Sequence, residues 1–433
     1  MKILIIDPEK VGLPFALRCQ EAGHHVKLWT VGKAGIGMVD RCPNWKTHMN
    51  WADLIFMTDN AKLREELAPY FTKGYPIFGP NKKGGDLELD REVGQKLLEN
   101  CGIKTLDYKT FTDYRKAIEY VKKEGKPFVS KPWGGEADKD LSYVPKTPED
   151  LICRLERWIK DGKKDEILLQ EMIKGYEMAV GGWFGPGGWA PYINENWEEK
   201  RMLCGGLGPN TGEMGTVMRY VEKSQMFDDV LAPVTDYLKK IKYVGYVDMN
   251  CMVGEDGTPW PLEFTTRPGW PHFNIACSLH IGDPATWMYD MLEGRNTLKC
   301  SKDVAVGVVM AQGDYPWNKQ PESDHVGWPI RGLNQTTLHN VWLNDVMMGP
   351  APVKRGKEIV TEETHVTTGT YVAIVTGHGD TVKDAQKSAN DTCKKIWWPR
   401  HKTMRLDIGD RLEEDLEHLQ EFGYAEGLQY GSC

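Results

Sequence analysis

An acid, a hydroxyl and a guanidinium alternate at Glu263, Thr265 and Arg267, a spacing that puts all three on one face of a strand. The run before it, from Tyr243 to Val253, is rich in β-branched and aromatic residues and carries Asp248, and Gly254-Glu255-Asp256-Gly257 between the two runs is a hairpin turn signal. With Glu255 and Asp256 as the loop, Asp248 stands directly across from Glu263, their Cβ atoms about 5 Å apart. Carboxylates so placed repel unless one is protonated or a cation lies between them. The pair reads as a metal site. Mg2+ fits that face, because it takes hard oxygen ligands from few carboxylates and shares phosphate oxygens with a substrate. The plain alternative is the solvated face of an ordinary hairpin, and one residue more or less in the loop shifts the register.

Other stretches offer cations and backbone donors. Pro127 to Gly135 reads as a strand ending in Lys131 before a glycine-bearing loop, with Lys139 close behind, a way to present point charges to phosphate. Ile167 to Glu177 is an apolar strand running into Glu171, Gly175 and Glu177. The stretch from Gly181 to Gly215 reads as a long irregular segment, and its end, Gly208 to Gly215, is rich in backbone donors able to approach an anion.

These groups need a scaffold. KILIID, Lys2 to Asp7, is a buried-strand run; a helical pattern over 13–22 and strands over 26–29 and 54–57 follow, so the chain opens as alternating β and α around a parallel sheet. The first turn, Asp7-Pro8-Glu9-Lys10-Val11-Gly12, has one glycine where a dinucleotide fingerprint wants three, which argues against NAD there. Helices are predicted over 90–100, 148–160 and 227–241. Past Lys302 the composition turns β-like, with strands over 304–311 and 368–375 and a helix after Asp380, which reads as a separate C-terminal domain.

A chain of 433 residues exceeds one ordinary core and should divide into domains. Its net charge of −8 is spread without a basic block, which argues against nucleic acid as a partner. No apolar run approaches the roughly 18 residues of a membrane span and the opening lacks signal-peptide architecture, so a cytoplasmic protein without a membrane partner is expected. Ten cysteines without a CxxC pair read as reduced thiols.

Taken in order, the motifs resemble the ATP-grasp superfamily and, within it, the phosphoribosylamine-glycine ligase (glycinamide ribonucleotide synthetase) family. The similarity is collinear from about Phe78 to Leu412. Phe78-Gly79-Pro80 with Leu87-Glu88 and Asp90-Arg91 resembles that family's FGP...LE.SK, Arg91 taking the lysine position. Lys131, Gly134, Ala137 and Lys139 match KADGLAAGKG; Lys200-Arg201, Gly208 to Gly212 and Met214-Gly215 match HKR...GPNTGGMG; Leu262-Glu263-Phe264 with Arg267, Gly269 and Pro271 match LEFNxRxGDPE. Gln312 to Pro316 and Arg405 to Gly409 match the C-terminal part.

The resemblance implies an α/β and α+β multidomain protein: a Rossmann-like (pre-ATP-grasp) domain over 1–85, an ATP-grasp domain over 86–300 with a mobile lid at about 123–182, and a C-terminal β-rich domain over 301–433. It implies an ATP-dependent carboxylate-amine ligase working through an acyl phosphate and joining glycine to 5-phosphoribosylamine in de novo purine biosynthesis, with an amino acid and a phosphorylated amine as small-molecule substrates; a monomer is expected. ATP would be held by Arg91, Lys131, Lys139, Gln170, Glu171, Ile173 and Glu177, and Mg2+ (or Mn2+) by Asp248 and Glu263 with Thr265, which replaces the family's asparagine, as a weaker ligand. Arg267 and Lys131 would act on the phosphoryl group. Lys200, Arg201, Pro209, Asn210, Thr211, Gly212, Arg267 and Gly269 would bound the acceptor pocket. The departures bear on substrate: Asp138 and Asp140 flank Lys139 where the family has glycines, Trp270 and His272 replace acids, and the GGREHA turn is absent. A related ligase with a different amine, or a non-catalytic ATP-binding protein, are the alternatives.

Overall fold

The computed structural model describes residues 1–133 and 141–431. Strands β1 (Lys2–Asp7), β2 (His25–Thr30), β3 (Leu54–Met57) and β4 (Ile77–Phe78) form a parallel sheet in the order β2-β1-β3-β4, with helix α1 (Leu13–Glu21) after β1 and α2 (Arg64–Thr72) after β3. β1 and β3 read as unbroken apolar runs because helices cover both faces of such a sheet.

Asp7 ends β1 and closes the turn that lacks glycines. Its carboxylate accepts from the Val11 (3.1 Å) and Gly12 (2.9 Å) N–H groups and from the Thr30 and Thr58 hydroxyls (both 2.9 Å). The chain's own acid thus occupies the N-terminal end of α1, the place where helix dipole and free N–H groups attract anions. Asp7→Ala strips the Val11 and Gly12 N–H groups of their side-chain acceptor, leaves the Thr30 and Thr58 hydroxyls only longer bonds to the Val31 and Ile6 carbonyls (3.4 and 3.5 Å), and is expected to destabilise the protein by about 2–3 kcal/mol. Urea unfolding measures this, and an unchanged midpoint would mean that water reaches these donors.

Helices α3 (Lys82–Leu89) and α4 (Arg91–Asn100) follow, capped by the Asn81 and Asp90 side chains, so that Arg91 is held in the first turn of α4. A small antiparallel sheet, β5-β7-β6, comprises β5 (Tyr108–Phe111), β6 (Phe128–Pro132) and β7 (Ile167–Glu171). Helices α5 (Tyr114–Glu124) and α6 (Pro148–Lys160) contribute its apolar core, Tyr114, Val121, Leu151, Leu155 and Trp158 among it.

The region expected to be irregular is instead three long strands, β8 (Gly175–Gly185), β9 (Gly188–Leu203) and β10 (Leu207–Val221). Its glycines are packing residues rather than loop residues: a Cβ on Gly181 would lie 2.0 Å from the Tyr246 hydroxyl oxygen and 2.8 Å from Asp248 Oδ2. The helix expected over 227–241 is two helices, Gln225–Val230 and Thr235–Lys240, broken near Pro233, which has no N–H to continue the ladder.

Next come β11 (Gly245–Gly254), β12 (Pro259–Thr265), β13 (Val304–Gln312), β14 (Val341–Leu343), the ribbon β15–β16 (Val346–Arg355, Glu358–Thr367), β17 (Tyr371–Gly379) and β18 (Lys402–Thr403). A nine-stranded sheet runs β12-β11-β8-β9-β10-β13-β17-β14, with β18 on β13. β13 pairs with β10, so the boundary expected near residue 300 falls inside a shared sheet. Met178, Val180, Trp197, Val217, Val247, Met249 and Cys251 pack on one face of it. The opposite face carries Asn194, Asn196, Glu198 and Lys200 of β9, Asp248 and Asn250 of β11, and Glu263 and Thr265 of β12, and turns apolar at Trp183 and Tyr246.

Candidate active site

The turn between β11 and β12 is wider than two residues. Gly254 N–H donates to the Thr258 carbonyl and Gly257 N–H to that of Gly254 (both 2.9 Å), while the Asp256 carboxylate accepts from the Thr258 N–H and hydroxyl (both 3.0 Å). Glu255 to Thr258 connect the strands, and the register slips again between Asn250 and Cys251. Asp248 therefore faces Thr265, and Glu263 faces Asn250. The expected Asp248–Glu263 pairing is overturned. All four side chains still share the polar face, because the displacement above the slip is an even number of residues.

Glu263 sits among cations. Arg91 Nη2 is 3.5 Å and Lys200 Nζ 4.0 Å from its carboxylate, and Lys131, donating to the Leu262 carbonyl at 3.5 Å, lies beside it. Burial would raise the Glu263 pKa, yet Lys200, Lys131 and Arg91 outweigh it and hold the acid at about 2. Lys131 goes the other way: burial, reinforced by Arg91 and Lys200 and opposed by Glu263, lowers its pKa to about 8. Lys200 is bonded to Glu177 (3.1 Å) and lies 3.5 Å from Glu198. Burial disfavours its charge, but Glu177, Glu198 and Glu263 together hold its pKa well above the ordinary value.

Glu177 also accepts from Asn250 Nδ2 (2.9 Å) and lies 3.8 Å from Arg411. Asp248 accepts from Asn196 Nδ2 and from the Tyr246 hydroxyl (both 3.0 Å); burial, with the field of Glu198, raises its pKa to about 7. Arg267 is paired with Glu88 at 3.1 Å, and Glu88 in turn accepts from the Thr266 N–H and Asn60 Nδ2 (both 2.8 Å).

A cleft takes Arg91, Lys131 and Glu263 at its charged end, Gln170 along its wall, and Leu98 and Leu262 on its apolar side. The structure thus brings together Arg91, Lys131, Gln170, Glu177, Lys200 and Glu263. Other expected residues stand apart. Glu171 pairs with Lys126, Ile173 is half-buried in the β7–β8 connection, and the Gly269 carbonyl accepts from Phe273 N–H (2.8 Å) as the helix His272–Leu279 begins. Arg201 is exposed and donates to the Gly208 carbonyl (3.0 Å); Pro209, Asn210, Thr211 and Gly212 form the outer part of β10, with the Thr211 hydroxyl donating to the Lys200 carbonyl (2.9 Å). Lys139, Asp138 and Asp140 lie outside the described residues.

Among the described residues no three or more His, Cys, Asp or Glu gather closely enough to hold a metal ion. The polar face instead offers mixed oxygen donors. Among the described residues Asn196 Oδ1 and Asn250 Oδ1 are buried without a hydrogen-bond partner, one beside Asp248 and the other across from Glu263. These amides, and Glu198 and Glu88, stand at the candidate site and were not singled out as site residues from the sequence. The signal for two of them, Asn196 and Glu198, was the alternation Asn194, Asn196, Glu198, Lys200, visible only once the segment is taken as a strand.

Two family models match the chain: phosphoribosylglycinamide synthetase, ATP-grasp (A) domain, over residues 90–272, and phosphoribosylglycinamide synthetase, C domain, over residues 305–411. The chain belongs to the phosphoribosylglycinamide synthetase family. Their span takes in most of the cleft lining, the polar face and Arg405 to Arg411. Among curated relatives, the phosphoribosylamine–glycine ligase of Halalkalibacterium halodurans is 26% identical over 336 residues, covering 75% of this chain and 74% of the relative. That of Ralstonia nicotianae is 27% identical over 354 residues, covering 78% and 79%. The crystal structure of phosphoribosylamine–glycine ligase from Thermotoga maritima superposes with a TM-score of 0.71 at 20% identity, covering 94% of this chain and all of that one. N5-carboxyaminoimidazole ribonucleotide synthetase from the same organism gives 0.58 at 15% identity, covering 92% and 99%. The fold is ATP-grasp, a multidomain α/β and α+β architecture. Among the described residues no helix is long and apolar enough to cross a membrane.

Proposed function

We propose that this family member is an ATP-dependent ligase that joins glycine to 5-phosphoribosylamine in purine biosynthesis, both substrates being small molecules. The observation that carries the reading is the convergence of Arg91, Lys131 and Lys200 on Glu263 at the mouth of an apolar-walled cleft, in a chain of this family. The apolar wall suits a purine base, Glu177 the ribose hydroxyls, and Arg91 and Lys131 the phosphates.

A glycine carboxylate oxygen attacks the γ-phosphorus while the bond to the ADP oxygen breaks, giving glycyl phosphate and ADP. The amine nitrogen then attacks the acyl carbon, phosphate leaves with its electron pair, and the nitrogen loses a proton as the amide forms. No side chain has to act as nucleophile, so the residues work by holding and neutralising charge. Arg267, pre-oriented by Glu88, would take the γ-phosphate or the glycine carboxylate. Glu263, Asp248, Thr265 and the free amide oxygens of Asn250 and Asn196 suit a hard cation; Mg2+ (or Mn2+), when bound, supplies charge neutralisation across the phosphate oxygens.

The test is ADP release with Mg-ATP, glycine and freshly generated phosphoribosylamine, each omitted in turn. Turnover that needs all three supports the proposal. Tight ATP binding without turnover on this pair would overturn the substrate assignment.

Lys131 makes ATP affinity pH-dependent. With a pKa of about 8 in the free protein, it is charged at pH 7 and neutral at pH 9, so above 8 phosphate must bind along with a proton. The dissociation constant for Mg-ATP is expected to rise by up to about tenfold per unit above pH 8, and Lys131→Met to bind weakly with that dependence gone. Calorimetry from pH 7 to 9.5 measures both; a flat wild-type profile would exclude Lys131 from the phosphate site.

A further inference from the structure

His272 opens the helix His272–Leu279 at the place where the LEFNxRxGDPE pattern ends in glutamate, and it is only 3% exposed. Its imidazole is turned to β11: Nε2 lies 2.6 Å from the Tyr246 hydroxyl oxygen, with the two ring centroids 5.0 Å apart and the planes tilted by 49°. That hydroxyl is 3.0 Å from Asp248 Oδ2, and Gly181 clears the space in which they meet. Asn194 and Asn196 of β9 complete the cluster. Asn196 Nδ2 donates to Asp248 Oδ2 (3.0 Å) and to Asn194 Oδ1 (3.1 Å), and Asn194 Nδ2 donates to the Tyr246 hydroxyl oxygen (2.9 Å).

Buried polar groups so placed fix one another's protons. Tyr246 has one hydroxyl hydrogen, and Asp248, as a metal ligand, is a carboxylate that can only accept. Were the tyrosine proton given to His272, two oxygens would face each other at 3.0 Å with no proton between them. The proton therefore goes to Asp248, and the hydroxyl oxygen accepts from Asn194 and from a protonated Nε2 of His272. The imidazole has a single proton to give, because burial, with Arg267 nearby, keeps it neutral, its pKa lowered to about 3. A glutamate at 272 would instead set a second acceptor on the same hydroxyl.

The cluster bears on the cation site. Both bonds to Asp248 fall on Oδ2, and among the described residues Oδ1 accepts none. Asn196 spends its amide hydrogens on Asp248 and Asn194, and its own Oδ1 is the buried oxygen without a partner. One oxygen of each residue is thus left for a hard cation. We propose that His272 and Tyr246 are positioning residues of this chain, a relay of donors that holds Asp248 by one oxygen and presents the other to the divalent ion. The inference rests on the metal reading of Asp248 given above.

Two measurements on the full chain test this. In metal-free protein in mildly alkaline buffer, where Asp248 is ionised, nitrogen NMR should show the His272 ring as the Nε2–H tautomer, its signals identified by their loss in His272→Gln. The Nδ1–H tautomer would overturn the proposal. The second measurement is Mn2+ affinity at a saturating level of a non-hydrolysable ATP analogue, read by water-proton relaxation, which separates protein-bound ion from ion held by the analogue in solution. Asp248→Asn should weaken binding most. Tyr246→Phe and His272→Leu are expected to raise the dissociation constant about tenfold, the effect of losing a group behind a metal ligand. His272→Gln, whose amide N–H can reach the same hydroxyl, should bring it back to within about twofold of the wild type. If His272→Gln binds as weakly as His272→Leu, the donor role of His272 is excluded. Unchanged Mn2+ affinity in folded Tyr246→Phe and His272→Leu, with Asp248→Asn impaired, would sink the proposal and leave the metal reading standing. Unchanged affinity in Asp248→Asn would remove both.

Discussion

Replacing Glu263 by glutamine is expected to lower kcat/KM by about a hundredfold to a thousandfold, the range for removing one preorganised charge from a transition-state site. In the free protein Glu263 organises Arg91, Lys131 and Lys200, and its depressed pKa of about 2 reports their combined attraction. Glutamine keeps the shape but can neither hold those cations nor offer a charged oxygen to a divalent ion. The loss should fall mainly on kcat, with Mg2+ dependence weakened. Full activity would remove Glu263 from the metal and phosphate chemistry.

The same variant carries a second readout. Glu263 is the largest influence raising the Lys131 pKa, so without it that pKa falls below 8 and the pH dependence of Mg-ATP binding moves to lower pH. A purely structural role for Glu263 would leave that profile in place. The fold should survive: the side chain is 41% exposed at the cleft mouth, where water screens its ion pairs, and the cost is about 1 kcal/mol or less. With a depressed folded-state pKa, Glu263 contributes stability above its unfolded value near 4.5 that is lost as pH falls toward 2. The variant should therefore lose part of the wild type's stability change across that window.

Much of the site was legible because its residues lie in motifs whose chemistry needs particular types at short spacing. Lys131 at a strand end and Glu263 alternating with Thr265 were placed on the right elements, whereas Glu177, read as the end of the strand that starts at Ile167, lies on the next strand, β8. The N-terminal sheet was legible because its strands are covered on both faces. What failed was the middle of the large sheet. β8 to β10 carry glycines, tryptophans and amides that mimic loop composition, yet Gly181 is there so that the Tyr246 hydroxyl and Asp248 can meet. With that segment read as irregular, the alternation carrying Asn196 and Glu198 had no strand to sit on. The hairpin register failed for a different reason. Asp256 folds its carboxylate onto Thr258 and lengthens the loop, a choice made by side-chain bonds rather than by the glycines that signal the turn.

On the face of β9 turned away from the site, Glu195 gives the largest expected stability effect. It is 2% exposed and directly opposite Arg219 of β10, accepting from Arg219 Nε (3.0 Å) and Nη2 (2.7 Å) and from the Ser224 hydroxyl (2.7 Å). Arg219 Nη2 also donates to the Glu426 carbonyl at 2.8 Å, so one ion pair joins β9, β10 and the C-terminal segment. Glu195→Ala leaves a buried guanidinium with that carbonyl as its remaining partner among the described residues and is expected to cost about 3–5 kcal/mol. Removing both charges should cost much less, because the penalty comes mainly from the stranded ion rather than from loss of the pair: Glu195→Met with Arg219→Met should recover most of the stability. Urea unfolding of the single and double variants separates these contributions. Glu195 projects from the opposite side of the strand to Asn194 and Asn196, so turnover per folded molecule should be unchanged in both proteins. A Glu195→Ala cost below about 1 kcal/mol, the value of a solvated surface pair, would show that water reaches the Arg219 guanidinium.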